Sequence, residues 1–383
     1  ARADFDGDGY EDIIASSPSA DTAFLLLGDG DGTFASILPV SVGSPSSSVA
    51  ISDFDTDGDI DFALAHPDNN SISVMMNNGN ARFNVSQPYT VGSTPNALVA
   101  SDIDGDGAAD LAVANCGSDN ATVLRNAGDG TFFAQQTLAA GEEPIAIKAL
   151  DVENDGDPDF AVLNRDSDDV SLMFNKGNGV FAGQQTISVG NLPSSLTTAD
   201  IDADNDADLI VTNELGNTVS ILYNNNTGLF APQQVYVTVE EPTDVVSADF
   251  NADGHLDLAV TSRIDNAISI LLGQGAGAFL TLPNFAAGNE PASLIAADLD
   301  SDGDSDIAVC HDASAVITLH FNGNQSFACS ADHSGDGQVD VIDLLIVLAE
   351  WGVCGNCDAD LNGDSFVNVI DLLALLELWG PCS

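Results

Sequence analysis

Only seven of 383 residues carry a fixed positive charge: Arg2, Arg82, Arg125, Lys148, Arg165, Lys176 and Arg263. Against 60 acidic side chains they leave a formal charge of −53. That balance excludes nucleic acid and anionic membrane surfaces as partners, because both need basic patches. No run of 18 or more apolar residues occurs, so no transmembrane helix is expected and membrane insertion is excluded. The five histidines, His66, His255, His311, His320 and His333, show no metal-ligand spacing. A nucleophile elbow, a phosphate-cradling glycine loop and the HExxH pattern are all missing. A polysaccharide lyase would need a base and a neutralising cation, and the few basic residues are scattered. The expectation is a protein without catalytic residues. The chain opens at Ala1-Arg2-Ala3-Asp4 with neither methionine nor signal peptide. It therefore reads as a mature or trimmed form whose export is inferred indirectly.

Acidity of this kind often accompanies disorder. Here 44% of residues are hydrophobic, and the acids sit at fixed positions among apolar runs. Seven acidic loops begin at Asp4, Asp53, Asp102, Asp151, Asp200, Asp249 and Asp298, each step being 49 residues. Each follows D-x-[DNE]-x-D-[GN]-x-x-D. The candidate ligands are Asp4, Asp6, Asp8 and Asp12; Asp53, Asp55, Asp57 and Asp61; Asp102, Asp104, Asp106 and Asp110. The series continues with Asp151, Glu153, Asp155 and Asp159; Asp200, Asp202, Asp204 and Asp208; Asp249, Asn251, Asp253 and Asp257; and Asp298, Asp300, Asp302 and Asp306.

Calcium takes six to eight hard oxygens at about 2.3–2.6 Å in a tolerant geometry. Alternate residues of a tight loop point inward, so carboxylates at offsets 0, 2 and 4 converge. Glycine at offset 5 (Gly107, for example, with Asn205 as the exception) allows the left-handed turn that brings offsets 6 and 8 into range. Without a cation, four such carboxylates repel by several kcal/mol. Seven calcium ions are therefore expected along these repeats.

A period of 49 residues signals repeat architecture. Blade five shows the pattern: an apolar stretch from Leu196 to Ala199, the acidic loop, a buried-looking strand over 209–212, an alternating strand over 219–223, and a closing strand over 234–239. Four short strands per unit make one antiparallel sheet. Seven such sheets predict an all-β seven-bladed β-propeller. The inventory does not close: the first strand of blade one is reduced to Ala1–Ala3, and blade seven leaves without a fourth. Either a segment upstream of Ala1 or a strand from another molecule would complete it.

These units resemble FG-GAP or VCBS-type repeats, which build the calcium-binding propellers of integrin α subunits and of many bacterial surface proteins. The resemblance covers residues 1 to 327. Where integrins carry Gly-Ala-Pro, only Ser17-Pro18 and His66-Pro67 echo the proline, so the bacterial type is nearer. The resemblance puts the calcium loops on one face. On the opposite face it puts the turns at Asn115–Asp119, Asn164–Asp168 and Asn213–Asn217, which read as polar strand connections and are where any ligand of the propeller would be sought.

From Cys329 onward no basic residue remains, and two units appear 28 residues apart. Each is a twelve-residue loop with oxygen ligands at positions 1, 3, 5, 7, 9 and 12, followed by an apolar run, the pattern of an EF-hand opening a helix. The first loop offers Asp332, Ser334, Asp336, Gln338, Asp340 and Asp343. The second offers Asp360, Asn362, Asp364, Phe366 (through its carbonyl), Asn368 and Asp371. Two further calcium ions are expected here, in a small α-helical domain over 328–383 that resembles a dockerin. That resemblance implies attachment to a surface or scaffold protein. Val341-Ile342 and Val369-Ile370 stand where dockerins of the cellulosome type often carry recognition hydroxyls, and Ser365 replaces a turn glycine.

Cys329 with Cys354, and Cys357 with Cys382, flank the two units at equal spacing. Four cysteines allow three pairings, and the symmetry favours one disulfide per unit in an oxidising compartment. Cys116 and Cys310 are expected as free thiols. Sequons at Asn69, Asn84, Asn120, Asn225 and Asn324 fall in predicted turns and are open to glycosylation. The whole reads as a secreted bacterial protein at the cell surface or in the matrix, with a non-catalytic role in adhesion or scaffolding. A filament of identical subunits, a carbohydrate-binding lectin and a lyase remain as alternatives.

Overall fold

The computed structural model describes residues 1–322 except 35, 86, 87, 226 and 313–315. Within 323–383 it describes only Gln338–Val339, Gly352–Val353, Phe366–Val367 and Gly380–Pro381. The chain divides into two units, Ala1–Phe321 and Asn322–Ser383.

The first unit holds seven antiparallel sheets in chain order. Blade three is representative: its strands are Pro95–Ser101, Asp110–Asn115, Asn120–Asn126 and Phe132–Ala139, each paired with the next. Blades four and five repeat this order. In blades two and six the fourth strand is broken in two, Phe83–Val85 with Tyr89–Thr90 and Phe279–Thr281 with Phe285–Ala286. Both halves pair with the third strand. Blade one has a two-residue first strand, Arg2–Ala3, and blade seven has three strands among the described residues.

Period-2 alternation explains the packing. In the second strand of blade three, Leu111 and Val113 face blade two, packing with Phe54, Ile72 and Val74. Ala112 and Ala114 face blade four, packing with Ile147, Phe160 and Val162. Second strands are therefore buried on both faces, which is why they read as continuous apolar runs. Every pair of neighbouring blades shares one such core. The last joins Ile13 and Leu26 of blade one to Ala297, Leu299 and Ala308 of blade seven. The amide of Gly32 also donates to the carbonyl of Leu299 at 3.2 Å. The ring thus closes between the first and seventh blades of one chain despite the short strand inventory, because closure rests on sheet faces rather than on a strand edge.

First strands of neighbouring blades lie against one another and carry polar links across the seams. Asp244 accepts from Ser195 of blade five at 2.6 Å and from Ser293 of blade seven at 2.8 Å.

In the second unit, Gln338–Val339 pairs with Gly380–Pro381, and Gly352–Val353 pairs with Phe366–Val367. The two ladders repeat at 28 residues, each joining one acidic loop to the segment that follows the other unit's apolar run. The other expected EF-hand ligands, both expected helices, Cys329, Cys354, Cys357, Cys382 and the Asn324 sequon lie outside the described residues.

Candidate metal loops and the opposite face

Each acidic loop joins the first strand of a blade to its second, so all seven lie on one face of the ring. In blade three the Asp102 carboxylate accepts from the amides of Gly105, Asp106 and Gly107 at 2.9, 3.1 and 2.9 Å. Asp104 accepts from Asp106, and Asp106 accepts from Ala108. These turns fix the carboxylates before any ligand arrives. The glycine at offset 5 has φ between 85° and 97° in six loops, and Asn205 has 71°. Offset 3 is also left-handed throughout, although only Gly7 and Gly105 are glycines there. Thr56, Asn154, Ala203, Ala252 and Ser301 adopt it too, a feature that residue type alone does not announce.

Oxygens converge within 4.8 Å of one another in Asp4/Asp6/Asp8, Asp53/Asp55/Asp57, Asp102/Asp104/Asp110, Asp200/Asp202/Asp208 and Asp298/Asp300/Asp302. In the loops beginning at Asp151 and Asp249, offset 2 is Glu153 or Asn251, and no such acidic cluster forms among the described residues. Desolvation, and then the neighbouring carboxylate of Asp8, Asp57, Asp204 or Asp302, raises the pKa of Asp6, Asp55, Asp202 and Asp300. One buried oxygen of Asp55 and one of Asp202 have no hydrogen-bond partner. A buried anionic oxygen without a donor is costly, and a divalent cation would satisfy it, so the donor set fits calcium.

The aspartate at offset 8 does more than the spacing indicates. Asp110 is 1% exposed. One of its oxygens accepts from the amide of Ile103 at 3.2 Å, the other from the amide of Asn126 at 2.7 Å. Asp12, Asp61, Asp159 and Asp208 are held in the same way. Burial pushes the carboxyls of Asp12, Asp61, Asp110 and Asp159 up to about 6 and that of Asp208 up to about 7, against the pull of those amides. The offset-8 residue thus clamps its loop to the third strand, and in blades three and five it also lies within 4.8 Å of the other converging carboxylates.

A second set of residues escaped the sequence reading. Asn77, Asn126 and Asn175 end the third strands and Asn224 follows its own, and each donates its side-chain amide to a carbonyl in the acidic loop of the preceding blade: Phe5, Phe54, Ile103 and Val152. Their recurrence every 49 residues was the available signal.

On the opposite face, Arg165 pairs with Glu214 at 2.5 Å, and Arg263 pairs with Asp312. These four residues occupy one position in successive repeats. A cavity of about 220 Å³ there is lined by Arg165, Ser194, Glu214, Glu241, Thr243, Arg263 and Ala292. Two of the three expected ligand turns contribute to it; the Asn115–Asp119 turn does not. His66 and His311 are absorbed into the framework. Their Nδ1 atoms lie 3.0 and 2.8 Å from the carbonyls of Pro45 and Asn289, and their Nε2 atoms lie 2.7 Å from Ser73 and Thr318 hydroxyls. Cys116 and Cys310 are free, with burial raising both thiols.

The sequons need correction. Asn84 and Asn120 lie in strands rather than turns. The side-chain amide of Asn120 donates to the Ser118 carbonyl at 2.8 Å. Asn69 lies in a short 3-10 turn, and Asn225 is exposed in a loop.

Comparison with solved structures shows the fold. A protein from Lactobacillus plantarum superposes with a TM-score of 0.58 at 17% identity, covering 81% of this chain and 95% of its own. A putative 6-phosphogluconolactonase from Bacteroides uniformis gives 0.59 at 14%, covering 80% and 94%. A lectin of Agrocybe aegerita, described as recognising non-reducing terminal N-acetylglucosamine, gives 0.50 at 18%, covering 76% and 80%. No curated protein matches the chain. The FG-GAP-like repeat model matches residues 4–64, 53–113, 102–162, 151–211, 202–260 and 249–309, and the chain belongs to that repeat family.

Proposed function

We propose that this chain is a non-catalytic extracellular calcium-binding protein of adhesion or scaffolding, its propeller stiffened by calcium and its C-terminal module serving attachment or assembly. The carrying observation is the convergence of carboxylate oxygens within 4.8 Å in five loops, with buried oxygens of Asp55 and Asp202 left without donors. The ions would be held by offsets 0, 2, 4 and 8 and the carbonyl at offset 6. They would supply positive charge that cancels carboxylate repulsion. The ion-paired cavity on the opposite face is then free to meet a ligand, a sugar included, on a rigid disc. The two ladders repeating at 28 residues support paired EF-hand units in the C-terminal module, where two further calcium ions would sit.

A second reading is a filament. It is favoured by Ile317–His320 of blade seven, whose outer edge has no partner strand among the described residues. Light scattering of the purified chain with calcium and after EGTA, with circular dichroism alongside, separates the two. A calcium-stabilised monomer supports the scaffold, and a polymer that dissociates on chelation supports the filament. A β signal and particle mass that ignore EGTA contradict both.

A further inference from the structure

One column of the repeat breaks its own rule. Near the end of the third strand, Leu27, Met76, Phe174, Tyr223, Leu272 and Phe321 share one 49-residue column with Arg125 of blade three. In blades two and seven this side chain lies beneath the following blade's turn, Met76 against Gly130 and Phe321 against Gly32, beside the offset-2 residue of its own acidic loop. Arg125 therefore reaches that loop. Its Nε pairs with Asp104 Oδ2, and its Nη2 lies 3.8 Å from Asp106 Oδ2. The Asp104 side chain is 2% exposed and that of Arg125 35%, so the pair is largely shielded from solvent.

The loop is unusual in a second way. Offset 6 carries a carboxylate in blades two, four, five and seven (Asp59, Asp157, Asp206 and Asp304) but Ala108 in blade three. Four carboxylates and a guanidinium replace the five carboxylates of the loops at 53–61 and 200–208. Calcium affinity follows the charge count of its ligands, and a cation already seated on an offset-2 ligand opposes a second one.

We propose that Arg125 is a resident counter-cation that lowers the calcium affinity of the blade-three loop below that of blades two and five while holding the loop folded at low calcium. This rests on the calcium reading above. Hydrogen exchange of the full chain, titrated with calcium from EGTA, reports each loop separately. In the unaltered protein, amides of 102–110 are expected to gain protection at about tenfold or more higher calcium than those of 53–61 and 200–208. Arg125→Met, which copies blade two, should move the 102–110 midpoint down toward theirs, with Ala108 keeping a remainder, and Arg125→Lys, which keeps the charge, should not. Equal midpoints in the unaltered protein overturn the proposal. So does an Arg125→Met midpoint that stays put or rises while the other loops still respond. If no loop responds to calcium, the calcium reading itself fails and takes this one with it.

Discussion

The side-chain amide of Asn126 donates to the carbonyl oxygen of Phe54, 2.8 Å away and 72 positions earlier in the chain. The backbone amide of Asn126 donates to Asp110 in its own blade's acidic loop, while the amide of Phe54 donates to Asp61 in the preceding one. Two neighbouring acidic loops are thereby joined through one asparagine. Replacing Asn126 with alanine strands the Phe54 carbonyl and also loses the bond to the Ala109 carbonyl at 2.9 Å. A buried group left unsatisfied costs about 1–3 kcal/mol, so Asn126→Ala is expected to destabilise by about 2–3 kcal/mol. The check is chemical denaturation in saturating calcium; a change below about 0.5 kcal/mol contradicts the latch.

The blade seams carry the apolar stability. Phe160 is fully buried and stacks on Phe181 with ring centroids 4.6 Å apart and planes 17° apart. Phe160→Ala is expected to cost about 3–5 kcal/mol by loss of transfer energy and creation of a cavity. The melting temperature reports it, and a drop no larger than that of an exposed control such as Leu215→Ala (Leu215 is 64% exposed) would contradict the packing account.

In protein stripped of calcium, acid should stabilise. Burial pushes the carboxyls of Asp12, Asp61, Asp110 and Asp159 up to about 6 and that of Asp208 up to about 7, against an ordinary value of 3.8. Their folded pKa lies above the unfolded one, so the folded state binds more protons between those values. Their contribution is complete below about 3.8 and is lost as pH rises through about 6 to 7. With EGTA present, melting is expected at higher temperature at pH 5.5 than at pH 7.5. Calcium binding needs the carboxylates ionised, so the increment calcium adds should be larger at pH 7.5. An EGTA-treated protein that melts higher at pH 7.5 contradicts this assignment.

Much of this architecture was legible because the repeat is strict. The buried-looking run over 209–212 and its 49-residue counterparts marked the second strands, and the DxDxDG pattern marked the loops. What stayed hidden depends on the third dimension. Asn126 looks like a turn residue until the ring brings Phe54 beside it. Arg125 is a lone basic residue until the strand register sets it beside Asp104. Counting strands leaves a gap that the structure keeps among the described residues, and what the count does not show is that Ile13 and Leu26 meet Leu299 face to face across it. The clamp made by Asp110 is not legible from spacing, which does not show which backbone amides a carboxylate meets.

The central claim is that the seven repeats bind calcium. Equilibrium dialysis of the full chain against calcium, with the bound ion counted per chain, tests it most directly. The count is expected to exceed six, with magnesium a poor competitor, and Asp53→Ala should remove one ion. A count of two or fewer, unchanged by Asp53→Ala, would contradict the account.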